Sequence, residues 1–243
     1  MSVVRYPVVE LRQYTLRPGQ RDVLIGLFDR ELVETQEAEG MAVVGQFRDL
    51  DDPDRFVWIR GFASMPERAK SLASFYGGPA WKAHSAEANA TMTDSDNVLL
   101  LRPVTAQSGF PAPPDRVPAG HPQDVRSRVL VTLYYRHDPF DQVFADFFDR
   151  QVRPVLTETG AVPLAWLQTE PAENNFPALP VRTGENVFAW FARFPSPEDL
   201  AGHLDHLEQS RRWHDQVRPA LTAMTVGRPQ QLRLAPTARS LLR

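Results

Sequence analysis

The sequence predicts an α+β protein in which two tandem ferredoxin-like units, each with the element order βαββαβ, form one intramolecular α/β barrel. Strand-like alternation and helix-like spacing follow one another in the same order in both halves of the 243-residue chain. Residues of the first half recur in the second half at constant shifts. A proline-rich stretch divides the halves. Because helices cover only one face of each sheet, we expect the two sheets to cover each other.

The first unit is predicted over residues 1–103 from local patterns. Residues 8–16 alternate and are rich in Val, Leu and Tyr, which indicates a strand. Residues 20–38 carry apolar side chains at helical spacing, and Gly40 marks the end of that helix. The remaining elements are predicted as strands at 41–48 and 55–63, helices at 66–76 and 80–92, and a strand at 97–103.

The second unit is predicted over residues 128–236 with the same elements in the same order. The triplet at residues 28–30 recurs at 148–150, a shift of 120, and Trp58 recurs as Trp190, a shift of 132. We interpret this pattern as a tandem duplication in which the second copy gained 12 residues within 171–186. The predicted elements are strands at 128–136, 162–168, 186–194 and 229–235 and helices at 139–158, 197–209 and 211–224.

Two further segments complete the predicted organisation. Residues 104–127 are predicted to link the units, because prolines break helices and remove backbone hydrogen-bond donors. Residues 237–243 are predicted as a tail after the second unit. The prolines of the linker include Pro111, Pro113, Pro114, Pro118 and Pro122.

Charge and composition exclude several classes of protein. The chain has 27 Lys and Arg residues against 30 Asp and Glu, a net charge of -3, which argues against a nucleic-acid partner. It has no cysteine, which rules out disulfides, thiolate catalysis and thiolate-bound metals. We find no secretory signal and no apolar run of the ~18 residues that a membrane span requires, so we expect a soluble, cytoplasmic protein. Phosphate-binding and serine-hydrolase motifs are also absent from the sequence.

Three sequence motifs resemble the NIPSNAP family. They are ELRQY at 10–14, FVWIRGF at 56–62 and PAW at 79–81. The resemblance implies the fold of the dimeric α/β-barrel superfamily, but little about chemistry, because that superfamily supports several unrelated activities. The second half departs from the motifs, with LVTLY at 130–134 and RRW at 211–213. Related barrels include haem binders, so haem stays open as a cofactor, although no sequence feature requires it.

Alternation along the strands predicts which side chains reach the barrel interior. We expect the apolar side chains of the first and third strands to meet the helices. Their polar and aromatic neighbours, Glu10, Arg12, Tyr14, Trp58 and Arg60, should then point inward. The corresponding inward positions of the second unit are Leu130, Thr132, Tyr134, Trp190 and Ala192, with Trp166 added by a neighbouring strand.

These positions predict a small-molecule pocket in the first unit, between the two sheets. Arg12 and Arg60 are candidates for holding an anionic or enolate oxygen, and Tyr14 for donating a hydrogen bond. Glu10 or His84 would move the proton. The candidate substrate-binding residues are Trp58, Trp81, Tyr134, Trp166, Trp190 and His214.

The same residues also permit a structural interpretation. Glu10 and Arg12 lie two apart on one strand face and can pair with each other or with Arg60 across the sheet. The tryptophans can belong to the core. His203 and His206 share a helix face, but they border the apolar stripe, and this favours an edge-packed pair over a metal site.

Two functional hypotheses follow. The first is a cofactor-independent enzyme or binder, acting by isomerisation, cyclisation or oxygenation on a small polar aromatic or keto metabolite. The second is a non-catalytic interaction or adaptor protein, which the family resemblance permits and which the 171–186 insertion and the tail would serve. Because one chain holds both halves of the barrel, a monomer and a homodimer of such pseudo-dimers both fit.

Overall fold

The alternating segments form strands and the helically spaced segments form helices. The computed structural model describes residues 5–120 and 125–243, so Pro122 and the first four residues of the predicted first unit lie outside it. The strands are β1 (Val8–Leu16), β2 (Ala42–Asp49), β3 (Arg55–Phe62), β4 (Met92–Asp94), β5 (Val98–Pro103), β6 (Arg128–Arg136), β7 (Pro163–Thr169), β8 (Asn186–Phe194) and β9 (Gln230–Pro236). The helices are α1 (Arg21–Leu27), α2 (Val33–Ala38), α3 (Met65–Gly77), α4 (Pro79–Thr91), α5 (Gln142–Phe147), α6 (Arg153–Glu158), α7 (Pro197–Gln209) and α8 (Arg218–Met224).

In the described ranges, eight strands close an antiparallel barrel in the order β1-β3-β2-β9-β6-β8-β7-β5, and the short β4 pairs with the end of β1. The two units meet at two seams. Phe47 of β2 pairs with Pro236 of β9, and Leu101 of β5 pairs with Thr169 of β7. The predicted α+β fold with an intramolecular barrel is therefore confirmed.

Aliphatic side chains from both units fill the barrel interior. Val9 and Leu11 of β1 pack there with Val57 and Ile59 of β3 and with their counterparts from the second unit, such as Val131. The predicted facing is therefore wrong: the polar and aromatic side chains point outward, to the helices. Both faces of each strand are buried when helices cover a barrel. The alternation of side chains along a strand therefore shows which residues share a face, but it does not show which face points into the barrel.

The helices pack on the outside of the barrel and their ends follow local sequence signals. The side chains of Ser64 and Ser196 cap α3 and α7, each followed by a proline in the first turn. A π-helical turn joins α1 to α2 at Phe28–Leu32, and another joins α5 to α6 at Phe148–Val152. His203 on α7 is fully buried against Thr159, and not at the edge as predicted.

The predicted linker and tail both pack against the barrel. Phe110 joins the interior cluster and meets the ring of Phe191 with the centroids 4.9 Å apart. Leu242 joins the same cluster, and Arg239 pairs with Glu34 of α2. No helix in residues 5–120 or 125–243 has the length and apolar character needed to cross a membrane.

Candidate functional site

A buried ionic cluster lies between the outer face of the first unit's sheet and its helices. Glu10 is its centre, and β1 and β3 pair so that Arg60 lies directly opposite Glu10. Arg12 Nη1 and Arg60 Nε lie 2.6 and 2.7 Å from Glu10 Oε2. Arg68, from α3, places its Nε 2.7 Å from Glu10 Oε1. These four side chains are 0–1% exposed.

The cluster carries more positive than negative charge. Within the described ranges, three positively charged guanidinium groups contact a single carboxylate, that of Glu10. Burial by itself raises the pKa of Glu10, but the charges of Arg60, Arg12 and Arg68 outweigh it and hold that pKa well below its usual range. Glu10 is therefore ionised and accepts a proton poorly at neutral pH.

An aromatic cavity lies beside the cluster, between the sheet and the helices. Its volume is about 30 Å³, which is room for one or two water molecules. Side chains must therefore move before an aromatic ligand enters. The lining residues are Tyr14, Leu24, Phe28, Leu32, Gln36, Trp58, Phe75, Tyr76, Trp81, Ala88 and Met92.

Arginines of the cluster hold the polar groups of the cavity wall. Tyr14 Oη accepts a hydrogen bond from Arg12 Nε at 2.9 Å. Tyr76 Oη and Gln36 Oε1 accept hydrogen bonds from Arg60 Nη1 at 3.4 and 3.3 Å. Because each hydroxyl oxygen acts as an acceptor, its own proton stays available for donation.

The cavity thus presents donors. In the described part of the chain, Tyr14 and Tyr76 donate no hydrogen bond, and Trp58 Nε1 has no partner. Burial raises the pKa of Tyr14 above its ordinary value although Arg12 opposes the shift, so its hydroxyl is protonated at neutral pH. Such a wall suits a ligand that presents an oxygen acceptor, above all an anionic one.

The sequence profile of the NIPSNAP family matches residues 9–106, which span this cluster and the cavity. Residues 9–106 are a NIPSNAP domain. The resemblance seen in the sequence motifs is thereby confirmed. No curated protein matches the chain.

Three solved structures resemble nearly the whole chain. A candidate monooxygenase from Fusobacterium nucleatum is 12% identical over 97% of this chain and 94% of its own, with a TM-score of 0.57. An anthrone oxidase-like protein is 13% identical, with 98% and 94% coverage and a TM-score of 0.56. A candidate monooxygenase from Lactobacillus acidophilus is 14% identical, with 96% and 94% coverage and a TM-score of 0.52. At these identities the similarity shows the fold alone.

The structure brings together five of the predicted site residues, Glu10, Arg12, Tyr14, Trp58 and Arg60, in the NIPSNAP domain. They meet on the helix side of the sheet, however, and not between the sheets. A sixth predicted residue, Trp81, lines the cavity, with its ring centroid 4.9 Å from that of Tyr76.

The other predicted site residues lie apart from this cluster. His84 is not among the residues lining the cavity, and its Nε2 lies 3.5 Å from Glu31. Tyr134 and Trp190 belong to the second unit's core, and Trp166 packs at its margin. His214, on the second unit's surface, contacts the backbone oxygen of Glu208 at 2.7 Å.

Arg68, Gln36 and Tyr76 complete the site but were not among the predicted residues. The correspondence between the two halves of the sequence held a signal for two of them. At the shift of 132, Arg68 corresponds to Leu200, which belongs to the buried stripe of α7. At the shift of 120, Gln36 corresponds to Leu156, a core residue. A polar residue at a position whose counterpart is buried and apolar needs a polar partner.

The second unit has apolar or neutral side chains at the positions of the ionic cluster. Leu130, Thr132, Ala192 and Leu200 correspond to Glu10, Arg12, Arg60 and Arg68, and all four are buried. The two units share a backbone plan, and only the NIPSNAP domain carries the ionic cluster.

Proposed function

We propose that the NIPSNAP domain binds a small aromatic oxyanion, a phenolate or an enolate, in the cavity between its sheet and its helices. One observation carries the proposal: the aromatic wall presents hydrogen-bond donors of Tyr14, Tyr76 and Trp58 without partners in the described residues, backed by a cluster with excess positive charge. An oxyanion satisfies these donors and offsets that charge.

Each residue has a distinct role in this proposal. Tyr14 donates to the bound oxygen, and Arg12, which donates to Tyr14 Oη, strengthens that hydrogen bond by polarising the phenol. Glu10 positions Arg12, Arg60 and Arg68 and does not move a proton. Trp58 supplies an aromatic surface and an indole N–H.

The arrangement favours reactions that develop negative charge on a substrate oxygen. Fixed donors in a buried site stabilise an enolate or phenolate more than the neutral compound. Isomerisation and cyclisation of keto or hydroxy-aromatic compounds pass through such anions, and an oxygenation would take O2 as its co-reactant. We propose a cofactor-independent reaction of this kind, on a substrate acidic enough to lose its proton to solvent water as it binds.

Binding of 4-nitrophenol tests the proposal, because only its anion is coloured. We expect the bound compound to ionise at a lower pH than the free compound. Tyr14→Phe, which removes the donor and keeps the ring, should weaken binding of the anion about tenfold or more. The matched variant Tyr134→Phe, at the corresponding position of the second unit, should change it less than about twofold. Equal effects of both variants would contradict a site in the NIPSNAP domain.

The interaction-protein hypothesis assigned partner binding to the 171–186 insertion and to the tail, but both segments contact other parts of the same chain. Asn174 and Asn175 of the insertion bind Arg68, and Arg239 of the tail binds Glu34. The filled barrel interior fits that hypothesis, but the cavity beside Tyr14 fits the binding of a small molecule. The donors of that cavity favour the small-molecule proposal.

A further inference from the structure

Residues 171–186, the insertion of the second unit, lie over the ionic cluster of the NIPSNAP domain; we call them the cap segment. Arg68 Nη1 donates hydrogen bonds to Asn174 Oδ1 at 3.0 Å and to Asn175 Oδ1 at 2.8 Å. Asn175 Nδ2 donates to the backbone oxygen of Met65, at the start of α3, at 2.6 Å. The cap segment is thereby fixed on the helix that supplies Arg68.

The cap segment also covers the wall of the cavity. The ring of Phe176 stacks on Tyr76, with centroids 6.1 Å apart and planes at 29°. Tyr76 lines the cavity, and its hydroxyl accepts from Arg60. Farther along, the backbone N–H of Arg182 donates to the backbone oxygen of Val98 on β5 at 2.9 Å. The cap segment is therefore held at both ends of its path over the domain.

The asparagines leave the charge of Arg68 only partly compensated. Arg68 is 0% exposed, so water does not reach its Nη2, and in the described residues this atom has no hydrogen-bond partner. Amide oxygens carry partial charges, and Glu10 shares its one negative charge among three guanidinium groups. A carboxylate pairs with a guanidinium more strongly than amide oxygens do, because both of its oxygens share a full charge.

We propose that Arg68 is a subsite for a carboxylate of the ligand and that Asn174 and Asn175 occupy this subsite until the ligand displaces them. The ligand class is then an aromatic carboxylic acid. Release of the asparagines frees Phe176 from Tyr76 and widens the narrow cavity. The inference rests on the proposed function, because the ligand reaches the cavity as the cap segment moves away.

Benzoate and its neutral analogue benzamide separate the carboxylate from the ring. Hydrogen–deuterium exchange of the full chain should show faster exchange over residues 174–180, by about threefold or more, with saturating benzoate and not with benzamide. Unchanged exchange with benzoate would overturn the proposal.

Asn174→Asp gives a second readout, because it places a fixed carboxylate at Arg68. We expect the ratio of the affinity for benzoate to that for benzamide to fall about tenfold in this variant. Gln151→Glu, which adds the same charge to an exposed residue of the second unit, should leave the ratio within about twofold. An unchanged ratio in Asn174→Asp would also overturn the proposal.

The two proposals fail separately. If 4-nitrophenol does not bind while benzoate still releases the cap segment, the oxyanion site is wrong and the carboxylate subsite holds. If 4-nitrophenol binds and benzoate behaves as benzamide does, the subsite is wrong and the oxyanion site holds.

Discussion

At the scale of single residues, Glu10 decides the chemistry of the site. A carboxylate that three buried guanidinium groups contact is held ionised, so it organises the arginines and is a poor general base. The substitution Arg12→Ala, which the sequence by itself suggests as a test, would remove a buried ion pair together with a candidate binding group. Its effect on binding could then not be separated from its effect on stability. Tyr14→Phe avoids this confusion because it removes one hydroxyl and keeps the ring.

Replacing Glu10 by Gln should lower the free energy of unfolding by about 3–5 kcal/mol, because it leaves three buried cations without their anion. The pKa of Glu10 is lowered by folding, so its contribution is fully present above the ordinary value of 4.5 and is lost as the pH falls below it. Urea unfolding from pH 7 down to pH 3 should therefore show the difference between the two proteins narrowing below pH 4.5. The exposed Glu87→Gln serves as the control, and a constant difference at all pH values would contradict the assignment.

Asp29 should show the opposite dependence on pH. Burial raises its pKa to about 6, against the opposing charges of Arg239, Arg48 and Arg116. Its ionised form therefore costs stability above pH 6, and the cost disappears as the pH falls toward the ordinary value of 3.8. Asp29→Asn keeps an oxygen for Gln46 Nε2, which donates to Asp29 Oδ1 at 3.1 Å. We expect the variant to be more stable by about 1–2 kcal/mol at pH 8 and equal to the wild type near pH 4.

At the scale of elements, the layer between sheet and helices is ionic in the NIPSNAP domain and apolar in the second unit. Buried ion pairs seldom stabilise a fold more than apolar side chains of similar volume. The second unit, with Leu130 and Leu200 in this layer, shows that the backbone plan does not require the charges. The backbone plan by itself therefore does not account for the ionic cluster, whereas the oxyanion proposed above would account for it.

This argument predicts the outcome of replacing the whole cluster at once. The combination Glu10→Leu, Arg12→Met, Arg60→Met and Arg68→Leu keeps the volume and removes all four charges. We expect its free energy of unfolding to be within about 2 kcal/mol of the wild type or higher, unlike that of Glu10→Gln. Binding of 4-nitrophenol and benzoate should be lost. A variant as unstable as Glu10→Gln would show that the ion pairs hold the fold.

Except for the short β4, the order and approximate positions of the elements could be predicted from the sequence, because periodicity reports local structure. The residues of β1 and β3 that form the site were also predicted, since charged residues alternate there with aliphatic ones. Their facing was not, because side chains are buried on both faces of β1. The contact of Arg68 with Asn174 spans 106 residues of sequence, and no local pattern encodes it.

At the scale of the whole molecule, segments from the second half of the chain complete the first unit. β9 of the second unit pairs with β2, the cap segment covers the cavity, and the tail returns to the first unit. Leu242 packs in the barrel interior, where its Cδ1 lies 3.5 Å from the place a Cβ would take on Gly45 of β2. The tail thus packs into the barrel, and burial explains its two leucines, Leu241 and Leu242.

Removal of residues 237–243 should therefore destabilise the whole chain. Leu241 and Leu242 are 7% and 8% exposed, and burial of each contributes about 1.5–3 kcal/mol. The truncated chain also leaves Glu34 without Arg239 and opens one end of the barrel to water. We expect its free energy of unfolding to fall by about 3–6 kcal/mol, in a single transition because the barrel interior is shared.

Arg243→Ala, which removes a partly exposed side chain, should cost less than about 1 kcal/mol. A truncated chain as stable as the wild type, or one that unfolds in two separate transitions, would show that the tail and the shared interior do not join the two units into one cooperative structure.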